Sequence, residues 1–240
     1  MKNKILKYLK GNNYLENTLL VSVIGSRMWQ MEHEDSDWDL FVVVNDPLDK
    51  MLRIDYQPTN REFKTNLDGI ELDIKIKEIK EVLRQLFNNN PNFIFGVLSD
   101  YVIYEQDKTV TNGLRHVTYQ NINYRIFPPL KGMIDHNYKK YLVNKVHDKS
   151  RKKEIMIKKI AWLCRCLSIE PRSSLPFILP PSFNHLENGN KDIERLKLAE
   201  LVKLVKDIEV PSWSKFENNI EDFNQFLYNV KIRSQNESTS

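Results

Sequence analysis

The chain has 240 residues, 41% of them apolar and 28% charged, with a net charge of +4. That is ordinary for a soluble globular protein with core enough for one large domain or two small ones, and the mild positive balance permits a phosphate-rich partner without requiring one. No stretch approaches the ~20 apolar residues of a membrane span, the N-terminal MKNKILKYLKGNN has no apolar run of signal-peptide length, and no internal repeat is present.

In chain order, Lys4–Leu9 reads as a short amphipathic helix ending at Gly11, with Ile5, Leu6 and Leu9 on one side. Thr18–Ile24 and Asp37–Val44 read as core strands, with Gly25-Ser26 as the turn after the first and Asn45-Asp46-Pro47 as the turn after the second. Met51–Asp68 is the least legible part, with an extra strand expected around Leu52–Tyr56. Gly69–Lys77 alternates, Ile70, Leu72, Ile74 and Ile76 against Glu71, Asp73, Lys75 and Lys77, which is the pattern of a half-buried strand. A helix over Ile79–Asn88, a break at Asn88–Asn92, a short helix over Phe93–Leu98 and a closing strand at Tyr101–Tyr104 complete a mixed sheet with flanking helices.

Beyond Gln106 only helical texture appears: Lys108–Thr118, Pro128–Lys145, Arg151–Ser168, Lys191–Asp207 and Lys215–Val230. The expected fold class is therefore α+β, a small mixed β-sheet with flanking helices followed by an all-helical domain. The expected division is 1–107, 108–233 and a frayed polar tail over 234–240. The two cysteines, Cys164 and Cys166, sit two apart in a helical pattern and point in different directions. They read as reduced packing residues of a cytoplasmic protein, since a zinc site would need more ligands.

Chemistry concentrates between Val21 and Val44. Alternation along a strand puts Asp37 and Asp39 on one face, roughly 6–7 Å apart along the chain. Paired carboxylates repel unless neutralised, and oxygen-only ligands on a rigid strand suit Mg²⁺. Gly25 lets backbone approach an anion, and Ser26 adds a hydroxyl donor. Asp73 is the expected third acid, with Glu71 as its rival.

Gly25-Ser26, ten intervening residues, Asp37-Trp38-Asp39 and a later strand acid resemble the polymerase-β-type nucleotidyltransferase superfamily. The order of Asn90-Pro91-Asn92 before an apolar helix, Ile160-Ala161-Trp162-Leu163-Cys164-Arg165-Cys166, and Leu175-Pro176-Phe177 is similar to the RNA-repair-pathway (RlaP-like) branch of that superfamily. The likeness runs from about Val21 to Lys206, and its motifs are loose outside the catalytic core. It implies the nucleotidyltransferase fold and transfer of NMP from an NTP to an acceptor hydroxyl, RNA among the acceptors, with pyrophosphate released. Asp37, Asp39 and Asp73 would be catalytic and would hold two Mg²⁺ ions, with Mn²⁺ as a substitute. Gly25, Ser26 and Arg27 would contact the nucleotide. One departure stands out: branch members usually carry a glycine four residues after the motif serine, and here the residue is Gln30.

Other readings compete at several positions. Arg27 suits an exposed salt bridge as well as a phosphate, Trp29 suits packing better than base stacking, and His33 and Asp35 read as solvated loop residues. From Lys139 to Arg165 there are ten Lys or Arg (139, 140, 145, 149, 151, 152, 153, 158, 159, 165), which suits a nucleic-acid or triphosphate surface or simply a solvated helix face. Arg165 is the member expected to face the nucleotide. Three functional classes fit: a nucleotidyltransferase acting on RNA, one acting on a small molecule or protein, and a non-catalytic, antitoxin-like binding module.

Overall fold

The computed structural model describes residues 1–32, 36–143, 150–169, 198–209 and 218–238. It forms two compact units. The first comprises Met1–Asn88, Asn92–Asn121 and Asn219–Ser240, and the second Asn89–Pro91 and Ile122–Asn218.

The first unit is built on a five-stranded sheet of order β3-β4-β2-β1-β5. Its strands are β1 (Thr18–Ile24), β2 (Trp38–Val44), β3 (Asn60–Leu67), β4 (Ile70–Glu78) and β5 (Val102–Glu105). Only β2 and β4 run parallel; the other neighbours are antiparallel. The crossover between the parallel pair contains the one-turn helix α3 (Leu48–Met51) and β3.

The period-two pattern sorts the sheet into two faces. Val21, Val23, Trp38, Leu40, Val42, Leu72, Ile74 and Ile76 share one buried cluster with Ile5 and Leu9 of α1 (Lys2–Gly11). Ile5 and Leu9, one helical turn apart, are fully buried, and each such side chain contributes about 1.5–3 kcal/mol through burial. On the other face lie Ser22, Phe41 and the polar residues of β4. There Ser22 Oγ donates to the Gly96 carbonyl (2.6 Å), and Phe41 meets Phe93 edge to face at 5.6 Å, both on α5 (Pro91–Leu98). Ile79, Val82, Leu83 and Leu86 form the buried side of α4 (Ile79–Phe87), whose start is capped by Glu78 accepting from the Lys80 amide at 2.6 Å.

The structure differs from the sequence reading first at the strand before β4. No strand covers Leu52–Tyr56; the strand before β4 is β3, and Asp68-Gly69 joins them with both φ values positive, 53° and 86°. That is the two-residue hairpin turn that Asp-Gly favours, and the Asn66 side chain accepts the Gly69 amide at 2.7 Å. β3 was illegible because, as an exposed edge strand reading NREFKTNL, it has almost no apolar alternation.

The second difference is in the division of the chain. The units do not separate at residue 107, since α6 (Lys108–Gln120) and the last helix, α10 (Ile220–Ser238), both belong with the sheet. Phe223 meets Phe87 edge to face at 5.8 Å, and Asn121 and Asn219 are hydrogen-bonded. Helical periodicity reveals that a face is buried but not which core receives it. α10 also continues through Ser238, past Ser234 where a frayed tail was expected.

Lys231 of α10 is a buried tie. Its ammonium, 8% exposed, donates to Glu78 Oε1 (3.0 Å) and to the Asp46 carbonyl (2.9 Å), and Glu78 is fully buried. Burial lowers the Lys231 pKa and Glu78 opposes that shift.

In the second unit, α7 (Phe127–Asn137), α8 (Ser150–Ile169) and α9 (Leu198–Lys206) pack around Leu130, Ile134, Ile160, Leu163, Cys164, Leu201 and Val205. The stretch expected as one helix over Pro128–Lys145 ends its α-helical part at Asn137 and passes through a π-helical turn over Tyr138–Val143. Lys131 Nζ closes α9 by donating to the Lys206 and Ile208 carbonyls, each at 3.0 Å. Cys164 is a buried free thiol pushed up to about 12, first by burial. Residues 191–197 and 215–217 of the expected helices, and the Leu175-Pro176-Phe177 motif, lie outside the described residues.

Candidate active site

The acids gather where β1 ends and β2 begins. In the parallel ladder Asp39 is paired with Asp73, so their side chains leave the same face of neighbouring strands, whose spacing is about 4.8 Å. Asp37 lies two residues before Asp39, just outside β2, and is half-buried. Across the antiparallel ladder Asp39 faces Ile24, and the next residue is Gly25.

Gly25 shows why this position needs glycine. Its φ is +66°, and a Cβ there would stand 1.9 Å from Asp39 Oδ2 and 2.6 Å from Asp39 Cγ. Backbone and carboxylate are in direct apposition, which no L side chain would allow.

Gly25 opens the one-turn helix α2 (Gly25–Met28). Its closure explains the departure at residue 30. The Gln30 amide donates to the Arg27 carbonyl (3.2 Å) and the Met31 amide to the Ser26 carbonyl (2.9 Å), with Gln30 at φ +54°. This is the Schellman ending, whose left-handed residue is usually glycine. Gln30 thus keeps the glycine conformation at a steric cost.

Ser26 is 7% exposed, and its Oγ is a buried polar atom with no hydrogen-bond partner among the described residues. Such a group costs about 1–3 kcal/mol unless something satisfies it, so it fits a ligand with acceptor oxygens. The helix is too short for a useful macrodipole; the hydroxyl and the glycine backbone are the relevant donors.

Arg27 is committed to the fold. Its guanidinium donates to the Asp37 carbonyl (Nε, 3.1 Å) and the Ser36 carbonyl (Nη2, 2.6 Å) and lies 4.3 Å over the Trp38 ring. It fixes the backbone that carries Asp37. Trp29 is 4% exposed and meets Phe95 edge to face at 5.2 Å, a packing role.

Glu71, the rival third acid, pairs with Lys64 (2.5 Å) and is opposite Asn66, one pair beyond the start of β2. Asp73 is the acid in register with Asp39. Among the described residues no three His, Cys, Asp or Glu side chains form a ready-made metal cage.

Within the basic stretch, Lys139 pairs with Asp135 (2.7 Å) and Lys158 with Glu154 (2.9 Å), as residues of solvated helix faces do. Lys145, Lys149, His33 and Asp35 lie outside the described residues, as do the side chains of Arg151, Lys152, Trp162, Arg165 and Cys166.

The match to a family model over most of the chain places it in the polymerase-β-type nucleotidyltransferase superfamily. The chain belongs to the RlaP family, described as an RNA repair pathway DNA polymerase beta family, which it matches over residues 1–230. Among solved structures it is similar to a nucleotidyltransferase-like protein from Exiguobacterium sibiricum 255-15, at 11% identity and a TM-score of 0.38, covering 95% of this chain and 75% of that one. A search of curated proteins finds no match. Among the described residues no helix is long and apolar enough to cross a membrane.

Proposed function

We propose that this protein transfers a nucleoside monophosphate from an NTP to an acceptor hydroxyl, with RNA as the acceptor class. The observation that carries the reading is the Gly25–Asp39–Asp73 arrangement: a glycine held against one carboxylate, and a second carboxylate in register beside it. The family's description, an RNA repair pathway, supports RNA over a small molecule or a protein.

In the proposed reaction the acceptor oxygen attacks the α-phosphorus, a new P–O bond forms, the α–β bridging P–O bond breaks, and pyrophosphate leaves. Asp73 takes the hydroxyl proton as general base. Ser26 Oγ donates to a phosphate oxygen, which gives the orphaned hydroxyl its partner, and the Gly25 backbone allows close approach. Arg27 acts on the nucleotide indirectly, by fixing Ser36 and Asp37. Asp37, Asp39 and Asp73 would hold divalent ions, Mg²⁺ with Mn²⁺ as a substitute, which would supply positive charge to offset the triphosphate and the developing pyrophosphate.

The test is incubation with each of the four α-labelled NTPs, Mg²⁺ or Mn²⁺, and total cellular RNA or lysate, beside Asp39→Ala. Label in RNA with the native chain and none with Asp39→Ala is the expected result. Label in protein or in a small molecule would replace the acceptor, and no transfer or nucleotide binding by either chain would point to a binding module.

A further inference from the structure

Lys64 is a residue of this site that the sequence pattern did not reveal. It lies on β3 directly opposite Asp73, and it is tied to Glu71 at 2.5 Å. Alternation on the hairpin puts Lys64, Glu71, Asp73 and Lys75 on one face, the face that Asp39 shares. Its charge is favoured first by Glu71, then by Asp73 and Asp37. A cation on the neighbouring strand therefore stands near the proposed ligands, paired with a fourth carboxylate two residues from Asp73 on the same face.

Like charges this close repel, and a nearby cation relieves them. The same cation opposes the entry of a second one.

We infer that Lys64 is a positioning residue of the acidic site: its ammonium occupies the cation's electrostatic place beside Asp73 until a divalent ion enters, and its pairing keeps Glu71 out of the ligand set. This rests on the reading of Asp37, Asp39 and Asp73 as metal ligands. Lys64 sets how tightly the edge holds metal, trading affinity for a folded, metal-free site that remains open to exchange.

The test is Mn²⁺ binding to the full chain by calorimetry and by the spin resonance of free Mn²⁺, for the native protein, Lys64→Gln, Lys64→Arg and Asp73→Asn. Lys64→Gln should bind Mn²⁺ roughly two- to fivefold more tightly at low salt, the range open to an exposed charge pair. The gain should vanish near 1 M KCl, where the Debye length falls to about 3 Å. Lys64→Arg should match the native chain, and Asp73→Asn should lose affinity. A merely structural Lys64 would not produce a salt-sensitive gain. Unchanged or weaker Mn²⁺ binding by Lys64→Gln, with native binding intact, would overturn the inference alone; absence of Mn²⁺ binding by the native chain would overturn the reading of the aspartates and the inference with it.

Discussion

Gly25→Ala tests the geometry most directly. The substitution places a methyl 1.9 Å from Asp39 Oδ2, 2.6 Å from its Cγ and 3.1 Å from its Cβ, at a φ of +66°. The left-handed backbone alone costs a non-glycine residue about 1–2 kcal/mol. The overlap is relieved only if the Asp39 side chain rotates away, so a second loss of about 1 kcal/mol is expected from a displaced rotamer. For a chain of this size, the sum of about 2–3 kcal/mol corresponds to a fall in Tm of roughly 4–12 °C. The assay is a double-mutant cycle read by urea unfolding: Gly25→Ala should be about 1 kcal/mol less costly in an Asp39→Ala background, because most of the obstructing atoms are gone. Equal cost in both backgrounds would refute the apposition, and with it the reason for glycine in the motif.

Four further outcomes follow from other contacts. Ser26→Ala should leave unfolding stability unchanged or slightly higher while raising the KM for NTP several-fold, because the hydroxyl has no partner among the described residues; a clear loss of stability would contradict this. Gln30→Gly should raise Tm by a few degrees by relieving the left-handed strain of about 1 kcal/mol at φ +54°, and a lower Tm would show that the Gln30 side chain outweighs that strain. Lys231→Met should cost about 3–5 kcal/mol by stranding a buried Glu78, and adding Glu78→Gln should recover much of it; no recovery would mean the pair is not the source. Burial works to raise the Asp46 carboxyl, but hydrogen bonds from Thr59, Tyr56 and Lys50 hold it below its usual range. Its folded pKa is thus depressed, so its stabilisation is present above the unfolded value of about 3.9 and lost as pH falls through the folded one. The native chain's advantage over Asp46→Asn in urea unfolding should therefore shrink between pH 7 and pH 3, and a constant difference would argue against the shift.

What was legible in the sequence is what a local pattern can encode. β4 and α4 were readable because their apolar residues keep one period and are buried on one face, β1 and β2 because each is a short apolar run bounded by turn signals; Asp39 and Asp73 could be placed because parity along a strand fixes the face. Parity does not fix register, so the pairing of Asp39 with Asp73 needed the coordinates. β3 escaped because its inner face carries only two apolar residues, Phe63 and Leu67, too few for a period to read, although Asp68-Gly69 was a hairpin signal in plain view. With β3 hidden, Lys64 was hidden too. Arg27 could not be resolved from spacing, since its partners are backbone carbonyls of Ser36 and Asp37, which leave no trace in the identity of a side chain. Gln30 is the reverse case: its departure from glycine was visible, whereas its retention of the left-handed conformation was not.

The closing helix has a consequence for how the chain is made. Because α10 completes the unit begun by the first strands, all of Ile122–Asn218, nearly a hundred residues, must leave the ribosome after the rest of that unit before Phe223 can reach Phe87 or Lys231 can reach Glu78. At about 5–20 residues per second that interval lasts roughly 5–20 s, during which a nascent sheet carries an uncovered apolar flank and an unneutralised interior acid. The intervening helices have that head start to fold by themselves, so the part of the molecule translated first is the part finished last.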